Sequence, residues 1–157
     1  MTILVIGIGQ SLRGDDGAGL AAVTHWQKAH PARALQSTLR IVLAEVTGLS
    51  LLDEMLGAEA AILVDGVRSG LKKPGSLHVL LEEDLAAFSP GSGSAHGLGV
   101  AETLSLGRQL YPDQMPSQVV LIGIEVGDID LGDALSPEIS ASLPAISEMI
   151  ESQLSCL

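Results

Sequence analysis

Aromatic residues are nearly absent from this chain. Only 2% of its 157 residues are Phe, Trp or Tyr, although 46% are hydrophobic. A buried core must therefore be built from aliphatic side chains and alanine. The length is typical of one domain that can bury a single core, so we expect one domain over residues 1–157.

Cysteine is also scarce, because Cys156 is the only one and stands next to the end of the sequence. A single cysteine excludes an intramolecular disulfide framework and a zinc site built from several cysteines. We interpret Cys156 as a terminal thiol without a function.

Basic residues are few: eight Lys and Arg face 19 Asp and Glu, which gives a formal net charge of −11. Nucleic-acid binding needs clustered Lys and Arg for phosphate contacts, so this balance argues against it. The overall charge favours a basic protein surface as a partner.

Long apolar runs are missing as well, since no stretch approaches the roughly 20 residues that a membrane-spanning helix requires. Residues 1–2 lack the positive charge that opens a signal peptide, and Gly7 and Gly9 interrupt the apolar run behind them. We therefore expect a cytoplasmic protein that is neither exported nor inserted into a membrane. We also expect a monomer.

The sequence alternates between apolar runs and helical patterns. Continuous apolar runs predict buried strands at residues 2–8, 41–44, 60–64 and 119–124. Residues 75–81 follow the third run too closely for a helical crossover, which favours an antiparallel edge strand. Apolar spacing predicts helices at residues 17–29, 49–56, 98–110 and 137–154. This order predicts an α/β fold with a mostly parallel five-stranded sheet covered on both faces.

A glycine-rich loop, GIGQSLRGDDGAG at residues 7–19, follows the first predicted strand. The third glycine of a dinucleotide-binding fingerprint is replaced by Leu12. A Walker loop would carry a lysine where Asp15 and Asp16 stand. Because two carboxylates would repel phosphate, the loop disfavours nucleotide binding.

Chemically capable side chains follow the predicted strands, at the edge where α/β sheets bind ligands. Asp15 is well placed as the N-cap of the first helix, so Asp16 is the better functional candidate of the two. Asp65 ends the third strand, where a solvated turn residue is the alternative interpretation. Glu45 ends the second strand and can face the same cleft, bind a ribose hydroxyl or be solvated.

Histidines add one candidate to this set. His96 lies among small residues, in a loop accessible to a metal ion, although a surface histidine is the alternative. We interpret His78 as an exposed residue of the edge strand. The sequence thus places Asp16, Asp65 and His96 where separate strands and loops can bring them together.

Taken together, these segments resemble the [NiFe]-hydrogenase maturation endopeptidases. The resemblance spans residues 2–150, and its ordered set of motifs is specific. The segments that carry it are ILVIGIGQSL and DDGAG in the opening region, ILVD at 62–65, SAHGLG at 94–99 and VLIGIE at 120–125.

The resemblance implies a three-layer α/β/α sandwich and an endopeptidase activity. Such enzymes remove a short C-terminal extension from the hydrogenase large-subunit precursor after nickel has been inserted. It also implies that Asp16, Asp65 and His96 surround a nickel-recognition site, with Asp16 and Asp65 as catalytic residues. Gln10 and Glu45 would support the site or contact substrate. Nickel would then belong to the substrate and not be a permanent cofactor of the enzyme.

Three positions depart from the family pattern. Gln10 stands where an asparagine is usual, and Asp16 stands where many members have glutamate, a side chain one methylene longer. The usual Asp-Gly-Gly-Thr loop after the second strand is replaced by residues 43–48, LAEVTG. These differences bear on which hydrogenase is served more than on the reaction.

Two reaction routes and two other function classes stay open at this stage. A metal ion can polarise the peptide carbonyl or activate water, or Asp16 and Asp65 can act as an acid/base pair that shares a proton. The alternatives to a peptidase are a nucleotide- or flavin-binding module and a protein that binds the hydrogenase precursor without cutting it.

Overall fold

The fold is described from a computed structural model of the chain, in residues 1–12, 14–45, 48–88, 99–127 and 134–157. Within these ranges no helix is both long and apolar enough to cross a membrane.

Five strands form a single sheet in the order β2-β1-β3-β5-β4. The first four strands in this order run parallel to one another. The edge strand β4 pairs antiparallel with β5, as the sequence predicts. The strands are β1 (Ile3–Ile8), β2 (Leu39–Ala44), β3 (Ala60–Val67), β4 (Leu77–Leu81) and β5 (Gln118–Glu125).

Helices connect the strands and cover both faces of the sheet. All four predicted helices are present, the first being preceded by a 3-10 turn, Gly14–Gly17. Two short helices were not predicted. One has only four residues, too few for an apolar period, and the other has its apolar residues together in its second half. The helices are α1 (Ala18–Ala29), α2 (Pro31–Ala34), α3 (Leu49–Met55), α4 (Glu82–Phe88), α5 (Val100–Leu110) and α6 (Pro137–Cys156).

Two aliphatic cores lie on opposite faces of the sheet. On one face, Leu63 and its neighbours pack against α3 and α5. On the other face, Ile62 and Val64 pack against α1 and α6, together with the chain's one tryptophan, Trp26. This arrangement is the predicted three-layer α/β/α sandwich. Its core is mostly aliphatic, as the composition requires.

The start of α1 lies directly on the sheet because Gly19 has no side chain. A Cβ atom at Gly19 would lie 2.2 Å from the backbone oxygen of Val64 and 2.3 Å from that of Ile8. Only glycine permits this approach, since neither backbone oxygen can move without disturbing a strand. The approach sets the 3-10 turn against the carboxyl ends of β1 and β3.

Candidate active site

The carboxyl ends of the parallel strands bring distant segments to one edge of the sheet. Ile8 at the end of β1 lies opposite Ala44 of β2 and opposite Asp65 of β3. Asp65 in turn lies opposite Gly123 of β5. Parallel pairing therefore places the residues that follow β1 next to Asp65, and those that follow β2 one strand further along the same edge.

The opening loop folds back on itself and buries its acids. The backbone N–H of Gln10 donates to the backbone oxygen of Asp16 at 3.1 Å. A Cβ atom at Gly9 would lie 2.1 Å from that same oxygen, so closure of the loop requires glycine there. The 3-10 turn then holds Asp15 and Asp16, each only 2% exposed.

Asp65 and Asp16 form a pair of buried carboxylates. Asp65 is 1% exposed, and its Oδ1 atom has no hydrogen-bond partner among the described residues. Burial raises the pKa of Asp65 well above its ordinary value, and the negative charge of Asp16 raises it further. The backbone N–H of Gly66 opposes these effects in part. Asp65 therefore keeps its proton at pH values where an ordinary aspartate has lost it.

Asp15 does not have the role that the sequence suggested. The N-cap of α1 is Gly17, and no side chain caps this helix. Instead, the Oδ1 atom of Asp15 accepts a hydrogen bond of 2.7 Å from the backbone N–H of Ser136, the N-cap residue of α6. The prediction of a cap for α1 was wrong because Asp15 lies inside the 3-10 turn, which puts the N-cap at Gly17, two residues further along the chain. Asp15 joins the opening loop to the last helix.

Gln10 and Glu45 lie together at the rim, as their positions after β1 and β2 predict. The Nε2 atom of Gln10 donates to the backbone oxygen of Glu45 at 2.9 Å. The Oε1 atom of Glu45 accepts hydrogen bonds from the hydroxyl of Ser11 at 2.7 Å and from its backbone N–H at 3.0 Å. These bonds hold the pKa of Glu45 below its usual value. No local sequence pattern predicts the contact between Ser11 and Glu45, which lie 34 positions apart.

His96 lies outside the described residues, so its place in the site stays a prediction. Within the described ranges, no group of three or more His, Cys, Asp or Glu side chains could hold a metal ion. The donor set of Asp16, Asp65 and His96 also stays a prediction.

A fourth buried acid, Glu125, was missed by the sequence reasoning. Glu125, 2% exposed, accepts hydrogen bonds from the backbone N–H of Ser69 at 2.9 Å and from the Ser69 hydroxyl. Its Oε1 atom also lies 2.9 Å from Nε2 of His78. His78 is only 7% exposed, so the prediction of an exposed edge-strand histidine was wrong. One signal was available, since Glu125 ends an uninterrupted apolar strand just as Asp65 does.

Comparison with known proteins decides the family. The hydrogenase maturation protease family (HycI) matches residues 28–153. The chain belongs to this family. The matched range excludes the opening loop, but longer alignments with relatives include most of it.

Individual relatives agree with this assignment. The hydrogenase 2 maturation protease of Escherichia coli K12 is 28% identical over 151 residues, which cover 96% of this chain and 89% of that protein. The hydrogenase expression/formation protein HupD of Rhodobacter capsulatus is 30% identical over 151 residues, or 94% of this chain and 69% of that one.

Solved structures show the same fold. The E. coli hydrogenase maturating endopeptidase HybD superposes with a TM-score of 0.84 and 25% identity, covering 99% of this chain and 93% of that chain. The [NiFe] hydrogenase maturation protease HybD of Thermococcus kodakarensis gives a TM-score of 0.73 and 27% identity. The superposition covers 98% of this chain and 99% of that chain. This member of the hydrogenase maturation protease family is accordingly a peptidase with the family's fold.

Proposed function

We propose that this protein is the endopeptidase that removes the C-terminal extension of a [NiFe]-hydrogenase large-subunit precursor after nickel insertion. The observation that carries the proposal is the pair of buried carboxylates, Asp16 and Asp65, at the carboxyl edge of this fold. Because burying two acids together is costly, their placement is more consistent with a chemical role than with support of the fold.

The pair supplies an acid and a base for peptide hydrolysis. Asp65, whose pKa is raised by burial and by Asp16, holds the shared proton and donates it toward the scissile peptide. The ionised member of the pair accepts a proton from the attacking water. Two neighbouring carboxylates that share one proton are a known way to hold a protonated acid and an ionised base in one site.

Nickel enters this scheme as part of the substrate. A cation beside a carboxylate favours its ionised form, so nickel in the precursor would stabilise the ionised member of the pair, which accepts the proton of the attacking water, while Asp65 keeps the proton that it donates. His96 is the proposed third donor, because imidazole suits nickel better than carboxylate does. In this scheme the same residues test whether nickel is present and act on the peptide bond.

Two other functions receive less support. A nucleotide- or flavin-binding module would place phosphate at the opening loop, where Asp15 and Asp16 are buried and acidic. A protein that only binds the precursor would not need a buried pair with a raised pKa.

The test is incubation of the purified protein with nickel-loaded and nickel-free precursor, followed by mass spectrometry. We expect the nickel-loaded precursor to lose the mass of its C-terminal extension and the nickel-free precursor to keep its mass. Asp16→Asn is the inactive control, since it keeps the shape of the side chain and removes the charge.

Each rival predicts a different result. Binding without any loss of mass would support the non-catalytic protein. Calorimetric binding of ATP, NAD or FAD would support the nucleotide or flavin module. Equal cleavage of both precursors would contradict nickel-dependent recognition.

A further inference from the structure

The loop between β3 and β4 concentrates positive charge in an otherwise acidic protein. Three of the eight basic residues, Arg68, Lys72 and Lys73, fall within residues 68–73, which we call the basic loop. All three are exposed. The other 151 residues therefore carry five basic and 19 acidic side chains.

The charges of the basic loop are not neutralised within the described structure. Elsewhere, Arg40 pairs with Glu54 at 2.9 Å and Arg108 pairs with Glu82 at 2.6 Å. By contrast, Arg68 and Lys72 donate to backbone oxygens, those of Gly127 and Leu77, each at 2.9 Å. Among the described residues, no carboxylate forms an ion pair with the basic loop. Its positive charge is available to another molecule.

Hydrogen bonds to the buried carboxylate of Glu125 hold the basic loop in place. This buried carboxylate accepts from the backbone N–H groups of Ser69 at 2.9 Å and Gly70 at 3.4 Å, as well as from the Ser69 hydroxyl. Burial by itself would raise the pKa of Glu125, but the hydrogen bonds from Ser69, His78 and Gly70 outweigh it and hold the pKa below its usual value. These hydrogen bonds to Glu125 fix the backbone of the basic loop at Ser69 and Gly70. An anchored loop loses less conformational entropy when a partner binds.

The basic loop also presents an exposed apolar residue. Leu71 is 76% exposed and lies between the cations. The loop begins directly after Val67, three positions beyond Asp65, at the edge of the sheet that holds the carboxylate pair. A partner that contacts the loop would therefore lie at the same edge of the sheet as the carboxylate pair.

We propose that the basic loop docks an acidic segment of the hydrogenase precursor, with Leu71 as the apolar contact. This inference rests on the proposed function, because the precursor is the molecule that must reach Asp16 and Asp65. The net charge of −11 repels an acidic segment from the rest of the enzyme, so attraction at this one loop sets the orientation of docking. The partner surface is thus acidic at this loop, although the overall charge alone favours a basic one.

The experiment measures the affinity of nickel-loaded precursor for three proteins: the wild type, the double variant Lys72→Glu/Lys73→Glu and the control Lys28→Glu. Lys28 is an exposed lysine in the last turn of α1, and no ion pair involves it in the described structure. Thermal melting verifies that all three proteins are folded. The dissociation constant is measured at about 50 mM and about 500 mM NaCl, where screening lengths differ severalfold.

We expect the double variant to bind about tenfold more weakly than wild type at low salt, with the control within about twofold. We also expect wild-type binding to weaken with salt and the double variant to respond much less. Hexaglutamate should compete with the precursor for wild type and not for the double variant.

An unchanged affinity of the double variant, an equal loss in the Lys28→Glu control, or salt-independent binding by wild type would each overturn the inference. If wild type still cleaves the precursor in those cases, the proposed function stands and only the docking surface is wrong. If wild type neither binds nor cleaves the precursor, both proposals fail.

Discussion

At the scale of single residues, two adjacent aspartates have different surroundings although the sequence presents them as equivalent. Asp15 accepts a hydrogen bond from the backbone N–H of Ser136 and so joins the opening loop to α6. Asp16 lies close enough to Asp65 for its charge to raise the pKa of that residue. We therefore assign Asp15 to stability and Asp16 to the reaction.

Substitution of both aspartates by asparagine, side by side, tests this assignment. Asp16→Asn should abolish cleavage with little change in melting temperature, because it removes the repulsion with Asp65 and keeps the shape. Asp15→Asn should retain cleavage, since the amide oxygen can still accept from Ser136. Asp15→Ala removes the acceptor and should lower the free energy of unfolding by about 1–3 kcal/mol.

The measurements are thermal melting and cleavage of nickel-loaded precursor. The assignment is wrong if Asp15→Asn is the inactive variant or if Asp16→Asn cleaves at the wild-type rate.

At the scale of elements, the position of the site depends on how closely α1 approaches the sheet. Gly19 contacts the backbone of both β1 and β3, and this contact holds the 3-10 turn with Asp16 over the end of β3. An added methyl group must push the helix start away from both strands.

Gly19→Ala should therefore lower the free energy of unfolding by about 1–3 kcal/mol or more. It should also reduce cleavage by the folded protein, because the carboxylate pair loses its spacing. The matched control is Gly17→Ala, where the nearest atom to the new Cβ lies 3.3 Å away and the backbone φ of −85° suits alanine. Denaturant unfolding measures the free energy of unfolding of both variants. An equal decrease in Gly19→Ala and Gly17→Ala would refute the packing argument.

Elements also show how far apolar patterning can predict structure. Continuous apolar runs located all four parallel strands, because strands buried on both faces contain few polar residues. The short helix α2 was missed because it has only four residues, and α4 was missed because its apolar residues fall together in its second half. His78 was misplaced because its position on an edge strand does not reveal that its ring is buried beside Glu125.

At the scale of the whole molecule, the buried pair makes stability depend on pH. The folded-state pKa of Asp65 lies well above 3.8, the ordinary value of an aspartate in water. Between these two values the unfolded chain has lost a proton that the folded protein keeps, so the free energy of unfolding falls as pH rises. The stabilisation is complete below about pH 4 and is lost as pH rises through the folded-state pKa.

Asp65→Asn removes this titration and should melt at a higher temperature than wild type at neutral pH. The difference should shrink as pH falls toward about 4. Asp53→Asn, at an exposed aspartate of α3, is the control and should leave the pH profile unchanged. The measurement is the melting temperature of each protein between about pH 4 and neutral pH. If the melting temperatures of wild type and Asp65→Asn change with pH in parallel, the pKa of Asp65 is not raised.

The sequence by itself determined the α/β class, the strand order along the chain, the antiparallel edge strand and the aliphatic core. It did so because these properties follow from local apolar patterns and from composition. It also singled out Asp16, Asp65, Gln10 and Glu45, because side chains that follow parallel strands must meet at one edge of the sheet.

Only the tertiary structure decided which groups touch. The bonds from Asp15 to Ser136, from Ser11 to Glu45 and from Glu125 to the basic loop join positions 121, 34 and 56 residues apart. The raised pKa of Asp65 has the same origin, since burial and the nearness of Asp16 exist only after the strands have paired and α1 has packed on them. No local pattern encodes such contacts, because they depend on the register and packing of the whole sheet.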